Sequence, residues 1–275
     1  MSGFLDDMAR SSAARVAQAL LRESAVALAR RARAAPPSLP LRLGVGGFDV
    51  IAELKLRSPA AGRLGEPSQD WLGRVAAYAR GGAAAVSVLT EPSRFDGSLE
   101  HLREAAAALA PLGVPVMRKD FLVDPYQVLE ARAVGAGGVL VILRMLPPAR
   151  IVELLDAAAE YGMFVLLEAF DAADLAAARD LMSRRAGTAE TLLIGINSRD
   201  LTTLEVVPER FAQLAPLLPR DLPAVAESGV ASAADARQMR MLGFGLALIG
   251  TALMARDDPA KLLGEILAAA RTVQP

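Results

Sequence analysis

The sequence predicts an α/β protein built as a (β/α)8 TIM barrel with additional N-terminal helices, and three observations predict this fold. Eight short, nearly continuous apolar runs recur along the 275 residues, as expected of parallel strands that are buried on both faces. Between them lie Ala- and Leu-rich stretches with a period near 3.6 residues, which is typical of helices. Glycine recurs where such a stretch gives way to the next apolar run, a common way of ending a helix. The runs begin near Val50, Ala85, Val114, Val139, Phe164, Leu192, Ala224 and Leu246.

The chain divides into an N-terminal helical extension, residues 1–47, and a barrel domain, residues 48–275. In the extension we expect two helices, over residues 5–20 and 22–35, followed by a link rich in proline. The Gly-rich segment 44–47 is interpreted as a plain turn, because it precedes a strand whereas a dinucleotide-binding loop follows one.

Within the barrel domain the periodicity predicts helices over residues 99–109, 125–134 and 149–160. Eight strand-then-helix units in about 225 residues favour a closed barrel over its structural competitor, a doubly wound open sheet. The glycines expected to end helices are Gly81, Gly82, Gly113, Gly135, Gly162 and Gly243.

Composition excludes several classes of function. Lys and Arg number 30 against 31 Asp and Glu, so broad electrostatic attraction to nucleic acid or to an anionic membrane is not expected. The chain has no cysteine and a single histidine, His101, which excludes disulfide scaffolds, Cys-ligated metals and multi-His metal sites. No segment is long and apolar enough for a membrane span, and we expect a cytoplasmic protein.

Two residue types are scarce, and their positions are informative. The lysines are Lys55, Lys119 and Lys261, all other basic residues being arginine, and the one asparagine is Asn197. A lysine ammonium can give up a proton at a physiological pH, which an arginine guanidinium cannot do. Each surviving lysine is therefore a candidate for proton-transfer chemistry.

Polar residues gather where the predicted strands end, which in a barrel of this kind is the active-site face. Any one of them could mark the place where polar sequence simply resumes. Together they would place three glutamates, two lysines and an asparagine at one barrel mouth, which costs hydration free energy unless the charges are paired or used. A protonated lysine there is a plausible general acid, and a glutamate on the opposite wall a plausible base. The residues are Glu53, Lys55, Lys119, Glu168, Asn197 and Glu227.

The last two strands are followed by small residues suited to binding phosphate. Ser228-Gly229 and Gly250-Thr251 offer backbone N–H groups and hydroxyls at the usual phosphate position of such barrels, and Ser58 could add a third hydroxyl. Ordinary turn chemistry is the alternative for each, and Ser232 with Asp235 is interpreted as a helix cap without a function.

Six motifs in register, between about residue 50 and residue 260, resemble the indole-3-glycerol-phosphate synthase family of tryptophan biosynthesis. Any one of the motifs is only moderately specific, but their common order makes a chance match improbable. The motifs are Glu53-Leu54-Lys55 with Arg57-Ser58-Pro59, Ser87-Val88-Leu89-Thr90-Glu91, Phe95-Asp96-Gly97-Ser98, Arg118-Lys119-Asp120-Phe121 with Asp124-Pro125-Tyr126-Gln127, Gly195-Ile196-Asn197-Ser198-Arg199-Asp200-Leu201, and Ala226-Glu227-Ser228-Gly229.

The resemblance implies a ring closure without a cofactor or metal, converting 1-(2-carboxyphenylamino)-1-deoxyribulose 5-phosphate into indole-3-glycerol phosphate, carbon dioxide and water. It implies that Lys119 is the general acid and that Glu168 acts in dehydration. Lys55 would bind the substrate carboxylate or share the proton transfer, Glu53 would orient the lysines, and Asn197 would hold a substrate hydroxyl. The implied binding residues are Ser58, Phe95, Phe121, Leu140, Arg199, Glu227, Ser228, Gly229, Gly250 and Thr251.

The sequence departs from the family pattern at Ala60, at Thr251, in the N-terminal region and in an apparent insertion over residues 183–190. Three alternatives remain: a duplicate synthase serving a specialised indole pathway, the isomerase one step earlier, and a catalytically silent phosphate-binding barrel. The isomerase chemistry favours an acid–base pair with Cys or Asp, and this chain has no Cys. The joint presence of Lys55, Lys119, Glu168 and Asn197 argues against a silent barrel.

Overall fold

The computed structural model describes residues 3–58, 62–63, 70–185 and 191–273, and these contain a closed barrel of eight parallel strands. Each strand pairs with its neighbours in sequence, and the last pairs with the first. The predicted barrel is confirmed, and the predicted apolar runs coincide with the strands, with shifts of at most two residues at their starts. The strands are β1 Asp49–Leu54, β2 Ala85–Leu89, β3 Val116–Lys119, β4 Gly138–Ile142, β5 Phe164–Ala169, β6 Leu192–Asn197, β7 Ala224–Glu227 and β8 Leu246–Ile249.

Helices surround the barrel and precede it. The predicted helix over residues 99–109 is found with the same bounds, and the other predicted helices differ by up to three residues at their ends. Within the described ranges the helices are α1 Phe4–Arg22, α2 Ala25–Ala34, α3 Trp71–Arg80, α4 Pro92–Phe95, α5 Leu99–Leu109, α6 Pro125–Ala133, α7 Pro148–Glu160, α8 Ala172–Ser183, α9 Glu209–Leu214, α10 Ala233–Met241, α11 Thr251–Met254 and α12 Pro259–Arg271.

Local sequence explains where these helices begin and end. The Asp124 side chain caps α6 by accepting the Tyr126 N–H. The Gln127 side-chain oxygen in turn accepts the Asp124 N–H, which completes a capping box. At the other end Gly135 has φ 94°, a left-handed conformation that turns the chain into β4 and that glycine adopts at little cost. Ser232 accepts the Asp235 N–H at the start of α10, so its interpretation as a helix cap is confirmed.

Alternation along the strands divides the core into two layers. Val50 and Ala52 of β1 pack between the barrel and the helices, whereas Ile51 packs inside the barrel. Side chains of a strand alternate between faces, so Glu53 shares the inner face with Ile51. The same alternation places Met117 of β3 inside the barrel, with Lys119 following on that face. The polar strand ends therefore converge above an apolar barrel interior.

The N-terminal helices pack against one side of the barrel. Leu28 of α2 and Val16 of α1 form a cluster with Tyr126 of α6, whose hydroxyl donates to the Glu23 carbonyl oxygen over 3.0 Å. The segment 44–47 is a turn before β1, as predicted, and the Gly44 N–H donates to the Asp49 carboxylate. The predicted insertion over residues 183–190 lies partly outside the described residues. No helix among the described residues has the length and apolarity needed to cross a membrane.

Candidate active site

The C-terminal ends of the strands surround a cavity of about 450 Å³. Of the residues predicted for the site, all but Ser58 line it, so the structure brings together side chains that are up to 198 positions apart in sequence. The predicted residues at the cavity are Glu53, Lys55, Phe95, Lys119, Phe121, Leu140, Glu168, Asn197, Arg199, Glu227, Ser228, Gly229, Gly250 and Thr251.

Ser58 is the predicted residue that the structure does not place in the cavity wall. After β1 the chain turns into a short antiparallel pairing, in which Ser58 lies opposite Gly62 and is buried. The phosphate role assigned to Ser58 therefore stays a prediction. Ala60, the residue that departs from the family pattern nearby, lies outside the described residues.

Lys55 and Glu53 form an ion pair on one wall. They are two residues apart at the end of β1, and Lys55 Nζ lies 2.8 Å from Glu53 Oε1. Burial disfavours the Glu53 carboxylate, but the ammonium groups of Lys55 and Lys119 outweigh that effect and lower the pKa of Glu53. Glu53 is therefore ionised at neutral pH.

Lys119, at the end of β3, lies between two further carboxyl groups. Its Nζ is 3.2 Å from Glu168 Oε2 and 3.7 Å from Glu227 Oε2. Burial works against the ammonium form, yet the carboxyl groups of Glu168, Glu227 and Glu53 together raise the pKa of Lys119 above its ordinary value. Lys119 is therefore protonated at neutral pH, which is the form that a general acid requires.

Asn197 at the end of β6 holds Glu168 in place. Its Nδ2 donates to Glu168 Oε1 over 2.8 Å, while its Oδ1 accepts bonds from the Arg199 N–H at 3.0 Å and from the Ser228 hydroxyl at 2.9 Å. Because the two ends of the amide have different partners, its orientation is fixed. Asn197 thus connects the Lys119–Glu168 pair to Ser228, the first of the predicted phosphate-binding residues after β7.

The predicted phosphate residues form the edge of the cavity beside Asn197. Ser228 and Gly229 both have left-handed backbones, with φ of 65° and 85°. Thr251 begins α11 and is exposed. The Glu53 carboxylate requires a glycine at position 250, since a Cβ atom there would lie 2.4 Å from Glu53 Oε1.

Aromatic and aliphatic side chains form the opposite edge. The rings of Phe95 and Phe121 are 6.2 Å apart, and Leu140 of β4 lines the same cavity. Sequence reasoning missed Phe4 of α1, whose ring meets Phe121 edge-on at 5.8 Å, and its neighbour Leu5. The signal was present, since Phe4 and Met8 follow the helical spacing of a buried stripe.

Sequence reasoning also missed a buried charge network behind Lys119. Arg118 is 1% exposed and bonds to Asp120 at 3.0 Å and to the carbonyl oxygen of Gln127 at 2.8 Å. Arg15 of α1 reaches the same Asp120 carboxylate. The charged run 118–120 inside an apolar strand was the available signal, because charges there must be paired when buried.

Comparisons with known proteins agree on one family. Residues 5–266 match the profile described as indole-3-glycerol phosphate synthase. A protein of that name from Leifsonia xyli subsp. xyli (strain CTCB07) is 42% identical over 95% of this chain and 94% of its own length. Another, from Bordetella pertussis (strain Tohama I), is 41% identical over 82% of each chain.

A solved structure supports the fold alone. The 3-hexulose-6-phosphate synthase from Salmonella typhimurium superposes with a TM-score of 0.60, covering 81% of this chain and 98% of that one. At 14% sequence identity this likeness shows a shared barrel architecture and carries no statement about activity.

Proposed function

The chain belongs to the indole-3-glycerol phosphate synthase family, and we propose that the side chains around its barrel mouth close the indole ring in the order set out below. The reaction converts 1-(2-carboxyphenylamino)-1-deoxyribulose 5-phosphate into indole-3-glycerol phosphate with loss of carbon dioxide and water, which makes the enzyme a carboxy-lyase. The observation that carries the assignment of roles is the position of the Lys119 ammonium, 3.2 Å from Glu168 inside the cavity.

Ring closure comes first. The aromatic carbon that bears the carboxylate attacks the ketone carbon of the substrate, and Lys119 donates a proton to the ketone oxygen. A bond forms between the two carbons, and the oxygen becomes a hydroxyl group instead of an unstable alkoxide. A general acid of this kind accelerates a reaction by roughly 10²- to 10⁴-fold.

Decarboxylation then restores the aromatic ring. The apolar edge made by Phe95, Phe121 and Leu140 suits an aromatic ring, and Lys55 lies where it can face the substrate carboxylate. The carbon–carbon bond to the carboxylate breaks, and its electron pair returns to the ring. Ion pairing with Glu53 holds Lys55 in position before the carboxylate leaves.

Dehydration completes the indole. Glu168 removes a proton from the methylene carbon next to nitrogen, and the hydroxyl group leaves as water after receiving a second proton. The amide of Asn197 fixes the Glu168 carboxylate, so its free lone pairs point in a defined direction. Asn197 would also hold a hydroxyl of the sugar chain.

The phosphate group of the substrate would lie at the edge formed by Ser228, Gly229, Gly250 and Thr251. Backbone N–H groups and hydroxyls at this end of a (β/α)8 barrel commonly bind phosphate. Ser58 and Arg199 complete the proposed binding set. A small phosphorylated substrate and a cytoplasmic location fit a biosynthetic family of this kind, whereas the role of a silent barrel is not favoured.

The assay that tests this function uses the purified chain and the carboxyphenylamino-deoxyribulose phosphate. We expect the indole absorbance to appear with the protein alone and to be unaffected by a metal chelator. A crude lysate of a tryptophan-requiring strain provides the control. The proposal fails if no indole forms, and activity that disappears with the chelator would refute the mechanism.

A further inference from the structure

Glu227 lines the cavity, and the steps above give its carboxyl group no chemical task. Glu227 is 1% exposed, and neither of its carboxyl oxygens has a hydrogen-bond partner among the described residues. It sits over Gly195, where a Cβ atom would lie 2.1 Å from Glu227 Oε1. The missing side chain of Gly195 therefore makes the space that Glu227 occupies.

The surroundings of Glu227 favour its uncharged form. Three charged groups face it: Lys119 at 3.7 Å, Glu168 on β5 and Glu53 on β1. Lys119 lies closer to Glu168, which also takes the amide of Asn197. Burial first and the Glu168 charge second raise the pKa of Glu227 well above its usual value, and Lys119 offsets only part of this.

Other basic groups nearby are occupied elsewhere. Arg199 donates a guanidinium N–H to the Leu204 carbonyl oxygen, and Arg210 donates to the carbonyl oxygens of Asn197 and Arg199. A buried carboxyl group without hydrogen bonds, facing the Glu168 side chain, keeps its proton because the neutral form avoids both the cost of burial and the repulsion.

The proposed reaction requires two protons at one oxygen. The first converts the ketone oxygen to a hydroxyl group, and the second lets that hydroxyl group leave as water. After the first transfer Lys119 is a neutral amine and can donate nothing more. A second donation from Lys119 needs a proton source that is shielded from solvent and within reach of its nitrogen.

We propose that Glu227 is a neutral carboxylic acid in the resting enzyme and that it returns a proton to Lys119 between ring closure and dehydration; this inference rests on the proposed function. The O–H bond of Glu227 breaks, its electron pair stays on the carboxylate, and an N–H bond forms on Lys119. The two atoms are 3.7 Å apart, so a small rotation of either side chain brings them to hydrogen-bond distance.

The proton count closes over one turnover. Glu168 takes the methylene proton and can pass it to the Lys119 amine, 3.2 Å away, after water has left. Glu227 regains a proton from solvent when the product is released. One proton is consumed in total, which matches the conversion of a substrate carboxylate into neutral carbon dioxide.

The proposal predicts that Glu227→Gln separates the two halves of the reaction. A glutamine has the size of the neutral acid and can donate a hydrogen bond, but it cannot supply the proton. In a single turnover we expect carbon dioxide release within about 10-fold of the unsubstituted enzyme and indole formation slowed by at least about 10²-fold. Rapid quench and mass spectrometry should then detect the hydroxylated, decarboxylated intermediate.

Glu265 is an exposed glutamate on α12, and Glu265→Gln is the matched control, which should leave both rates unchanged. Equal rates of carbon dioxide release and indole formation in Glu227→Gln, whether fast or slow, would overturn the proposal. If the unsubstituted enzyme forms no indole, the proposed function itself fails, so the two failures are distinct.

Infrared spectroscopy gives a readout that does not depend on activity. At neutral pH the enzyme should show a carboxylic acid C=O band that is missing in Glu227→Gln, and an identical spectrum in that region would contradict a neutral Glu227. Should Glu227→Gln fail to fold, Gly195→Ala provides a second variant, since its Cβ atom displaces the Glu227 carboxyl group. It should delay indole formation relative to carbon dioxide release, and an undelayed product would count against the proposal.

Discussion

Arg15 binds Asp120 through both carboxylate oxygens, with Nη1 2.9 Å from Oδ2 and Nη2 2.7 Å from Oδ1. Asp120 follows Lys119 directly in sequence, and it also accepts bonds from Arg118 and from the Thr90 hydroxyl. The first helix of the N-terminal extension is thus attached to the strand end that carries the proposed general acid. The same helix brings Phe4 against Phe121 at the cavity.

Removal of this contact should destabilise the protein. Arg15→Ala removes one of the two guanidinium groups that bond to the buried Asp120 carboxylate. We expect the free energy of unfolding to fall by about 2 kcal/mol. Arg10→Ala on the exposed side of the same helix is the control, with a change below about 0.5 kcal/mol. Urea unfolding measures both, and equal effects of the two substitutions would show that the Arg15 contact contributes nothing particular.

Asp120 should make stability depend on acid. Burial opposes its charge, but Arg118, Arg15 and the Thr90 hydroxyl outweigh that and lower the pKa of Asp120 well below its usual range. A carboxyl group with a depressed pKa in the folded state contributes stability above its unfolded pKa, and this contribution is lost as pH falls toward the folded value.

We therefore expect the free energy of unfolding to decline as pH drops below about 4, and to decline less steeply in Asp120→Asn. Urea unfolding between roughly pH 7 and pH 3 provides the measurement, with the exposed Asp257→Asn as the control that keeps the unsubstituted slope. Parallel curves for Asp120→Asn and the unsubstituted protein would contradict the role of this carboxylate.

Two glycines test whether the site has room for an added methyl group, because Gly250 contacts the site and Gly245 has open space around it. Gly250→Ala places a Cβ atom 2.4 Å from Glu53 Oε1, so the carboxylate must move away from its position beside Lys55. We expect kcat/KM to fall by at least about 10-fold, since small displacements of charged groups in a site cost that much or more. Gly245→Ala has nothing within 4 Å of its Cβ and should keep full activity, so comparable losses in both variants would refute the steric explanation.

Ser228 tests the proposed phosphate edge. Ser228→Asp adds a negative charge there, and we expect KM for the phosphorylated substrate to rise by about 10-fold or more, because like charges repel at short range. Ser24→Asp caps the exposed start of α2 as the serine does and should leave KM unchanged. Steady-state kinetics with both variants decide the matter, and an unaltered KM in Ser228→Asp would remove the phosphate from this edge.

Alternation along strands explains why so much of the fold and site was predictable. Apolar runs of a parallel barrel are nearly continuous, so their starts stand out, and a side-chain period of two then fixes which strand-end residues face inward. This period was sufficient to predict that Glu53, in β1, and Lys55, directly after it, face the same side. Scarcity of lysine added Lys119, the usual phosphate position of such barrels indicated Ser228, Gly229, Gly250 and Thr251, and the family resemblance supplied the apolar positions.

What sequence reasoning missed depends on contacts between distant segments. Nothing local in the first helix indicates that Arg15 meets Asp120, 105 residues later, and the helical spacing of Phe4 marks it as buried without indicating the cavity. The space at Gly195 is likewise defined by a side chain from β7. The phosphate role of Ser58 stays a prediction, since its hydroxyl was assigned from its place after β1 and the structure shows Ser58 in a short pairing opposite Gly62.

Proton donation by Lys119 is the central step of the proposed reaction, and substitution of that lysine tests it directly. The measurement is turnover of the carboxyphenylamino-deoxyribulose phosphate by Lys119→Met and Lys119→Arg, with the exposed Lys261→Arg as control. We expect both Lys119 variants to lose at least about 10²-fold in kcat, because neither side chain can give up a proton at neutral pH, while the control keeps its full rate. A near-normal rate in Lys119→Arg would show that a positive charge alone suffices, and it would contradict proton transfer from this residue.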